Sequence, residues 1–246
     1  RQAFEWAYLA HTRLDAVVLP RFSWREQHIA YRWVRALHKA GLAVIYDVDD
    51  DVFSPQIGER QHVTTEKEKP LDVLERDRRD RIAALRLCDG VTTSNPTLAA
   101  LLEQYVSPGT PVVVVPNGID TRWFPRTIRE TRRETEALTI GWAGGARVRE
   151  DLEPIAAAWH NLAIRYPDVH FAVQGFLTEQ LADAVPADRI RLIPWMSVAD
   201  YPRGMRGMDI GCASVAPNHF NRCKTPIKAW EYTLAGATVV VSPTLY

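Results

Sequence analysis

Short apolar runs alternate along the chain with longer stretches whose apolar residues recur at helical spacing. Residues 42–51 and 111–118 are short, apolar and rich in valine, which is typical of buried strands. Residues 25–41 show the three-to-four-residue repeat of an amphipathic helix and end at a glycine. Strands that alternate with helices in this way predict parallel sheets covered by helices, the α/β class.

The alternation continues through the whole chain and is interrupted once. We predict strands at 15–20, 42–51, 90–94, 111–118, 138–145, 169–175, 190–195, 209–214 and 237–242. We predict helices at 25–41, 71–88, 96–105, 151–166, 198–207 and 225–236. The polar, proline-led stretch 125–137 has no apolar periodicity, so we expect it to link two open α/β domains, residues 1–124 and 125–246.

Composition narrows the possible functions. The 246 residues are 46% hydrophobic, and 30 basic residues balance 30 acidic ones, so we do not expect nucleic acid as a partner. Three separated cysteines without a C-x-x-C pair argue against a disulfide framework and a zinc site, and favour a reducing compartment. The apolar runs are shorter than a membrane span, and the start at Arg1 is typical of a piece of a longer protein.

The densest candidate chemistry lies in residues 221–243, NRCKTPIKAWEYTLAGATVVVSP. A helix is predicted there, with Thr225 as its N-cap, Pro226 at its first position and Gly236 at its exit. The valine-rich strand that follows places this helix beside a parallel sheet. In such sheets, ligands bind outside the carboxyl ends of the strands.

Lys224, Lys228 and Glu231 share one face of this predicted helix. Both lysines lie in or just before the first turn, where cations oppose the helix dipole, so stability alone would favour acids there. A diphosphate would be held by the backbone N–H groups and both ammonium groups, and Glu231 would accept hydrogen bonds from two ribose hydroxyls. The alternative is a solvated helix face whose Lys228–Glu231 pair contributes a few tenths of a kcal/mol.

A second candidate phosphate site is the stretch IGWAGGARVRED, residues 140–151. Gly144 and Gly145 would let the backbone approach a ligand closely, and Arg147 or Arg149 would meet phosphate oxygens. The stretch matches neither the dinucleotide nor the NTPase glycine motif. A plain tight turn explains the two glycines equally well.

A cluster of carboxylates ends the predicted strand at 42–51. Alternation along a strand would point Asp47, Asp49 and Asp51 one way and Asp50 the other. One or two of them would pair with an acceptor hydroxyl or share a metal ion, and the alternative is a strand end with solvated acids. A haloacid-dehalogenase-type phosphatase is a rival interpretation, but neither reading frame supplies the Thr or Val of its D-x-D-x-[TV] motif. The acidic residues are Asp47, Asp49, Asp50 and Asp51.

Several stretches together resemble retaining nucleotide-sugar glycosyltransferases of the GT-B fold, family four and its relatives. The resemblance covers most of the chain from about residue 15, and its most specific parts are PNGID and K-T-P-I-K…E-Y…G. In PNGID, Asn117 and Gly118 are expected either to shape the turn that leaves the strand or to contact the ligand directly. The stretches are VIYDVDDDVF, CDGVTTSNPTLAALL, VVVVPNGIDTRWF, IGWAGG, VHFAVQG, DIGCASVAP and NRCKTPIKAWEYTLAGATVVVSP.

The resemblance implies two Rossmann-like domains, with parallel sheets, that face each other across a cleft, the second domain binding the nucleoside diphosphate sugar. Glu231 matches the second glutamate of the family's E-x7-E motif, which implies a ribose-binding role. Lys224 and Lys228, with Arg147 or Arg149, would lie against the diphosphate and stabilise its departure without an obligatory metal.

Three departures from the family pattern weaken this interpretation. Cys223 stands where the first glutamate of the motif belongs, so a carboxylate near the donor sugar is missing. The chain also stops at Tyr246, before the tail helices of the family, and it lacks the early glycine-rich loop of the first domain. These departures favour either a truncated enzyme or a form of the enzyme that is smaller than is usual in the family.

We therefore expect a glycosyltransferase of the hexosyltransferase kind that uses a UDP- or GDP-sugar and a carbohydrate or lipid-linked acceptor. Its expected catalytic residues are Glu231, Lys228, Asp49 and Asp50. The alternative is a non-catalytic nucleotide-sugar-binding or scaffold domain. A cytoplasmic location is expected, and the basic helix at 25–41 suits peripheral contact with the inner face of a membrane unless its apolar stripe is a core face.

Overall fold

The computed structural model describes residues 14–20, 30–54, 70–124, 137–145 and 149–245. Contacts divide the chain into two units. The first contains the described residues up to Pro116 together with Arg222–Thr225, and the second contains those of Asn117–Asn221 and from Pro226 onward. The sequence places the division after residue 124, whereas the contacts place it after Pro116 and return a four-residue segment to the first unit.

The first unit contains a four-stranded parallel sheet with the strand order β1-β2-β3-β4. Its strands follow one another across the sheet in chain order, so each helix crosses between neighbouring strands. The strands are β1 (Ala16–Pro20), β2 (Ala43–Val48), β3 (Gly90–Thr93) and β4 (Val112–Val114), and the helices are α1 (Ala30–Lys39), α2 (Leu71–Leu85) and α3 (Pro96–Leu102).

The second unit contains a five-stranded parallel sheet with the order β7-β6-β5-β8-β9. Its strands are β5 (Thr139–Gly144), β6 (His170–Gly175), β7 (Ile190–Ile193), β8 (Ile210–Ala213) and β9 (Thr238–Val241). The helices of this half of the chain are α4 (Arg149–Arg165), α5 (Glu179–Ala182), α6 (Tyr201–Met205), α7 (His219–Arg222) and α8 (Ile227–Leu234), with 3₁₀ turns at Ala187–Arg189 and Pro243–Leu245.

The order of the second sheet creates a switch point between β5 and β8. The chain leaves β5 on one side to form β6 and β7, then returns to the other side of β5 to form β8 and β9. In open parallel sheets a crevice forms at the carboxyl ends of the two strands where the winding reverses, and ligands bind there. The loop after β5 and the segment between β8 and α8 therefore border the position that the topology favours for a ligand.

Each unit uses the same arrangement at the start of an inner strand. Asp89 precedes β3, and its carboxylate accepts the N–H of Val44 at 2.7 Å. Asp209 precedes β8 and accepts the N–H of Thr139 at 2.7 Å. The backbone N–H groups of the two aspartates donate to the carbonyls of the same partners at 2.8 Å. These bonds extend the ladder at the amino ends of the sheets and fix the strand register there.

The helix α1 packs its apolar face into the core of the first unit. Ala30, Val34 and Leu37 are buried at helical spacing. The core-face interpretation therefore holds for the described part of the predicted helix 25–41, and peripheral membrane contact gains no support from it. Its first residues, with Trp24 and Arg25, lie outside the described residues. Within the described parts of the chain, no helix has the length and apolarity to cross a bilayer.

Candidate functional site

Lys228 and Glu231 form an ion pair on the first two turns of α8. Lys228 Nζ lies 2.7 Å from Glu231 Oε2, and the side chains are only 26% and 12% exposed. A solvated pair on a helix surface would be far more exposed, so this interpretation does not fit. A partly buried lysine that is paired with a carboxylate is a site that can exchange that carboxylate for a ligand anion.

Tyr201 holds the same ammonium group from a second side. Lys228 Nζ donates to the Tyr201 hydroxyl and lies 4.6 Å from the centre of its ring. The backbone carbonyl of Tyr201 in turn accepts the side-chain amide of buried Gln174 at 2.7 Å. Tyr201 was not predicted from the sequence, since it lies on another helix and only the tertiary structure brings it to Lys228.

Tyr232 connects α8 to both strands at the switch point. Its hydroxyl accepts the N–H of Ala143 at 2.7 Å and donates to the carbonyl of Cys212 at 3.3 Å. The ring lies directly over Gly211, where an added Cβ would stand 2.3 Å from the ring. The close approach of helix and strand therefore needs a glycine, and it sets the position of Lys228 one turn earlier.

Asp151 joins the helix after β5 to the loop after β8. Its carboxylate accepts the N–H of Ala216 at 2.7 Å and the side-chain amide of Asn221 at 2.8 Å, and its carbonyl accepts the hydroxyl of Ser214. Asp151 is 3% exposed. This buried network holds the two segments that border the switch point against each other.

The glycine turn after β5 lies beside a tryptophan that the sequence did not single out. Trp195, the second residue after β7, is 70% exposed, and its ring lies 3.9 Å from the position of a Cβ on Gly145. Gly175 has a φ of +105°, and a Cβ there would lie 3.0 Å from the same ring. Gly144 is equally confined, because a Cβ would meet the Trp142 ring at 2.8 Å. A flat aromatic surface therefore stands at the carboxyl ends of the strands.

Two arginines of this turn, Arg147 and Arg149, were predicted to contact phosphate, and the structure describes only the second. Arg147 lies outside the described residues. Arg149 is exposed at the start of α4 and borders a surface groove of about 820 Å³ that includes His160, Phe176 and Glu179. Arg149 is thus placed on the β6 side of the glycine turn.

Lys224 does not lie on the face of α8 with Lys228, contrary to prediction. The helix begins at Ile227, its N-cap is Pro226 rather than Thr225, and no side chain caps it. Lys224 belongs to the first unit, where its Nζ lies 3.6 Å from Asp50 Oδ1. The sequence pattern predicted a helix that starts near Thr225. In the structure, Arg222–Thr225 belong to the first unit and the helix starts only at Ile227.

The acidic cluster is arranged by a turn and not by strand alternation. β2 ends at Val48, and the carboxylate of Asp51 accepts the N–H groups of Phe53 and Ser54, both at 3.0 Å. Asp51 is 1% exposed, whereas Asp47 is exposed and accepts the Thr92 hydroxyl at 2.6 Å. The predicted common orientation of Asp47, Asp49 and Asp51 is therefore wrong.

Cys223 is fully buried in the core of the first unit. Its carbonyl accepts the side-chain amide of Asn95 at 2.5 Å. Burial first, and then the nearby carboxylates of Asp51 and Asp50, raise the pKa of its thiol to about 12. A neutral, enclosed thiol therefore occupies the position where the family pattern has a glutamate.

The sequence is similar to that of one curated bacterial protein. No family model matches the chain. The chain is 24% identical over 212 residues to a Bacillus subtilis (strain 168) protein, TuaH, described as a glycosyltransferase of teichuronic acid biosynthesis. The alignment covers 80% of this chain and 49% of TuaH, so the chain spans about half the length of this curated relative.

Several solved structures match nearly the whole chain. Sucrose-phosphate synthase from Thermosynechococcus elongatus superposes with a TM-score of 0.65 at 14% identity, over 98% of this chain and 59% of that one. HepE from Anabaena, in complex with UDP and glucose, gives 0.62 at 15% identity, over 98% and 62%. These likenesses indicate a GT-B glycosyltransferase fold. At such low identities the GT-B likeness establishes the fold alone.

Proposed function

We propose that the chain is part of a family-four-like glycosyltransferase that moves a sugar from a UDP- or GDP-sugar to an acceptor hydroxyl with retention of configuration. The observation that carries the proposal is the partly buried Lys228–Glu231 pair on α8, the helix that precedes β9. It lies on the element that borders the switch point, where ligands of open parallel sheets bind. A hexose is the expected transferred group, and a carbohydrate or lipid-linked alcohol is the expected acceptor.

Lys228 and Glu231 would separate when the donor binds. The diphosphate would take the place of Glu231 against Lys228 Nζ, and the N-terminus of α8, which has no side-chain cap, would add its dipole. Glu231 would then be available to accept hydrogen bonds from the ribose hydroxyls. As the bond between the anomeric carbon and the phosphate oxygen breaks, negative charge grows on the diphosphate, and Lys228 would stabilise that charge without an obligatory metal.

The loop after β5 would complete the donor site. Gly145 would let the ligand approach the backbone closely, whereas the space beside Gly144 is taken by the Trp142 ring. Arg147 and Arg149 would supply further positive charge. Trp195 offers its exposed ring next to this turn and would stack on a planar base.

The acids of the first unit would serve the acceptor. Asp49 is exposed directly after β2, and Asp50 is held by Lys224. Either carboxylate would accept a hydrogen bond from an acceptor hydroxyl. Lys224 would then act mainly through Asp50.

A second candidate is a nucleotide-sugar-binding domain without transfer activity. The buried thiol of Cys223 favours it, because no carboxylate stands at that position to assist the reaction. The two candidates share the donor site and differ only in turnover.

The test is a screen of UDP-, GDP- and ADP-sugars by thermal shift, followed by donor hydrolysis and transfer assays. A ligand at 100 times its Kd adds about 2.7 kcal/mol of stability, so a true donor gives a clear shift. Turnover that is lost in Glu231→Ala and kept in the exposed control Glu153→Ala supports the transferase. Binding without turnover supports the second candidate, and no shift with any nucleotide sugar contradicts both.

A further inference from the structure

A second candidate binding site lies on the outer face of α6. Here a surface groove of about 360 Å³ has three arginines and one tryptophan in its lining, and we name it the arginine groove. All of its residues belong to the second unit. The lining residues are Arg122, Trp123, Ala199, Pro202, Arg203 and Arg206.

Two segments build the groove, and packing holds them together. One wall is the α6 segment, in which Pro202 and Arg203 lie on the helix and residues 199 and 206 flank it at helical spacing. The other wall is the turn that ends at Phe124, where the N–H groups of Trp123 and Phe124 donate to the carbonyl of Asp120. Buried Phe124 packs edge-on against Tyr201, with ring centres 6.3 Å apart. The two walls of the groove are therefore joined by packing between Phe124 and Tyr201.

The groove presents a local excess of positive charge on a chain whose net charge is zero. Arg122 uses Nε and one terminal nitrogen to bind Asp120, which leaves the other terminal nitrogen directed elsewhere. Arg203 pairs with Asp200 at 3.3 Å. Arg206 has no such partner among the described residues, so three guanidinium groups face two carboxylates. Exposed pairs of this kind are weak and exchange readily with a ligand anion.

The tryptophan adds a recognition element that a purely ionic site lacks. Trp123 is 40% exposed, and the neighbouring floor is the buried Pro202. An indole ring offers a flat apolar surface that suits the C–H face of a sugar ring, and guanidinium groups bind carboxylates or phosphates in a two-pronged manner. Aromatic and arginine side chains together thus match a ligand that carries both sugar rings and negative charges.

We propose that the arginine groove binds an acidic saccharide, a chain of sugar units that bear carboxylate groups, and so holds a charged glycan on the second unit. The choice of a saccharide over another polyanion rests on the proposed function. Tyr201, the first residue of α6, also contacts Lys228, so one short helix carries the groove on its outer face and a contact of the candidate donor site at its start.

The test is binding of an oligogalacturonate in the absence of any donor. Calorimetry measures the affinity, and the indole N–H signals in NMR spectra report contact with the tryptophan. We expect binding that weakens as salt rises from about 50 to about 300 mM, because exposed ionic contacts are screened. Arg206→Gln should weaken it at least about threefold and Trp123→Ala about tenfold, and Arg122→Gln/Arg203→Gln/Arg206→Gln should abolish it. The matched control is Arg165→Gln, because exposed Arg165 also lies over an aromatic ring, that of Tyr166, at 5.6 Å.

Three results would overturn the groove proposal. A neutral maltooligosaccharide that binds as tightly would remove the role of charge, and polyglutamate that binds as tightly would remove the role of the sugar ring. Wild-type affinity in Arg206→Gln and Trp123→Ala would place the ligand elsewhere. UDP binding should be unchanged in the groove variants, so a failure of the donor proposal would be visible separately, as loss of UDP binding in the wild-type chain.

Discussion

The hydroxyl of Tyr232 accepts the backbone N–H of Ala143, which lies 89 residues earlier in the chain, at 2.7 Å. Because the same hydroxyl donates to the carbonyl of Cys212, one side chain joins α8 to β5 and β8. Burial raises the pKa of Tyr232 well above its ordinary value, so the hydroxyl keeps the proton that it donates. The position of Lys228 and Glu231 relative to the glycine turn depends on this contact.

Tyr232→Phe should destabilise the second unit by about 1–3 kcal/mol, because it leaves the buried N–H of Ala143 without its acceptor. The ring still covers Gly211, so packing is kept. Urea unfolding followed by circular dichroism measures the change. Tyr166→Phe, at an exposed tyrosine, is the control and should leave stability unchanged. An unchanged unfolding midpoint in Tyr232→Phe would show that the hydrogen bond makes no net contribution to the free energy of unfolding.

Lys228→Ala should weaken UDP binding about tenfold to a hundredfold and uridine binding by less than about threefold. A hydrogen bond to a charged group contributes about 1.5–3 kcal/mol, and only UDP carries the phosphates. Calorimetric titration of both ligands measures the difference. Lys39→Ala, at an exposed lysine of the first unit, should bind both as the wild type does. Equal losses for UDP and uridine would place Lys228 away from the phosphates.

Glu231→Ala should weaken the binding of UDP and uridine without discriminating between them. Loss of the carboxylate removes the partner of the ribose hydroxyls, so we expect UDP and uridine to weaken alike, by about tenfold, while 2′,3′-dideoxy-UDP is unaffected. The same titrations measure this, with Glu153→Ala as the exposed control on α4. A penalty that persists with the dideoxy ligand would assign Glu231 another role.

Asp89 should make the stability of the first unit depend on acid pH. The N–H of Val44, with a further contribution from His38, holds the pKa of Asp89 below its ordinary value. The carboxylate therefore stabilises the fold above its unfolded pKa of about 3.9, and this contribution is lost as pH falls through the lower folded value. We expect the wild type to exceed Asp89→Asn in stability at about pH 5, and the difference to shrink below about pH 4.

Urea unfolding across this pH range checks the Asp89 prediction. Asp168→Asn, at an exposed turn before β6, is the control and should track the wild type throughout. A wild-type advantage that stays constant down to the lowest pH would contradict the proposed linkage.

Cys223→Glu should not restore the family carboxylate but should destabilise the first unit by more than about 3 kcal/mol. The position is fully buried near Asp50 and Asp51, so a third carboxylate there would be desolvated and repelled. Cys223→Ala is the matched control and should cost about 1 kcal/mol or less. A stable Cys223→Glu variant with increased transfer would mean that the site opens when the substrate binds.

Local sequence patterns were sufficient for most of the fold. Within the described residues, all nine strands lie at or near their predicted positions, since each appears in the sequence as a short, largely apolar run. Pro96 stands at the first turn of α3, and Gly236, with a φ of +87°, ends α8, both as predicted. The likeness to GT-B glycosyltransferases was also anticipated from motifs, and the comparisons support it at that level.

The candidate site was predictable only in part. The pairing of Lys228 with Glu231 follows from helical spacing, so the sequence indicated it. The roles of Tyr201, Tyr232 and Trp195 were missed, because each depends on contacts between elements that are distant in the chain. The placement of Lys224 was wrong because a helical pattern does not reveal where the helix begins.

The amino-acid sequence by itself determined the α/β class, the strand positions and the lysine–glutamate pair, because burial and helical periodicity are local properties that residue order records directly. The tertiary structure alone decided which side chains enclose that pair, where Lys224 goes and how three arginines and a tryptophan come to share one groove. Those outcomes depend on the strand order β7-β6-β5-β8-β9 and on packing between separate elements. Such contacts form only when the chain folds, and no short stretch of sequence encodes them.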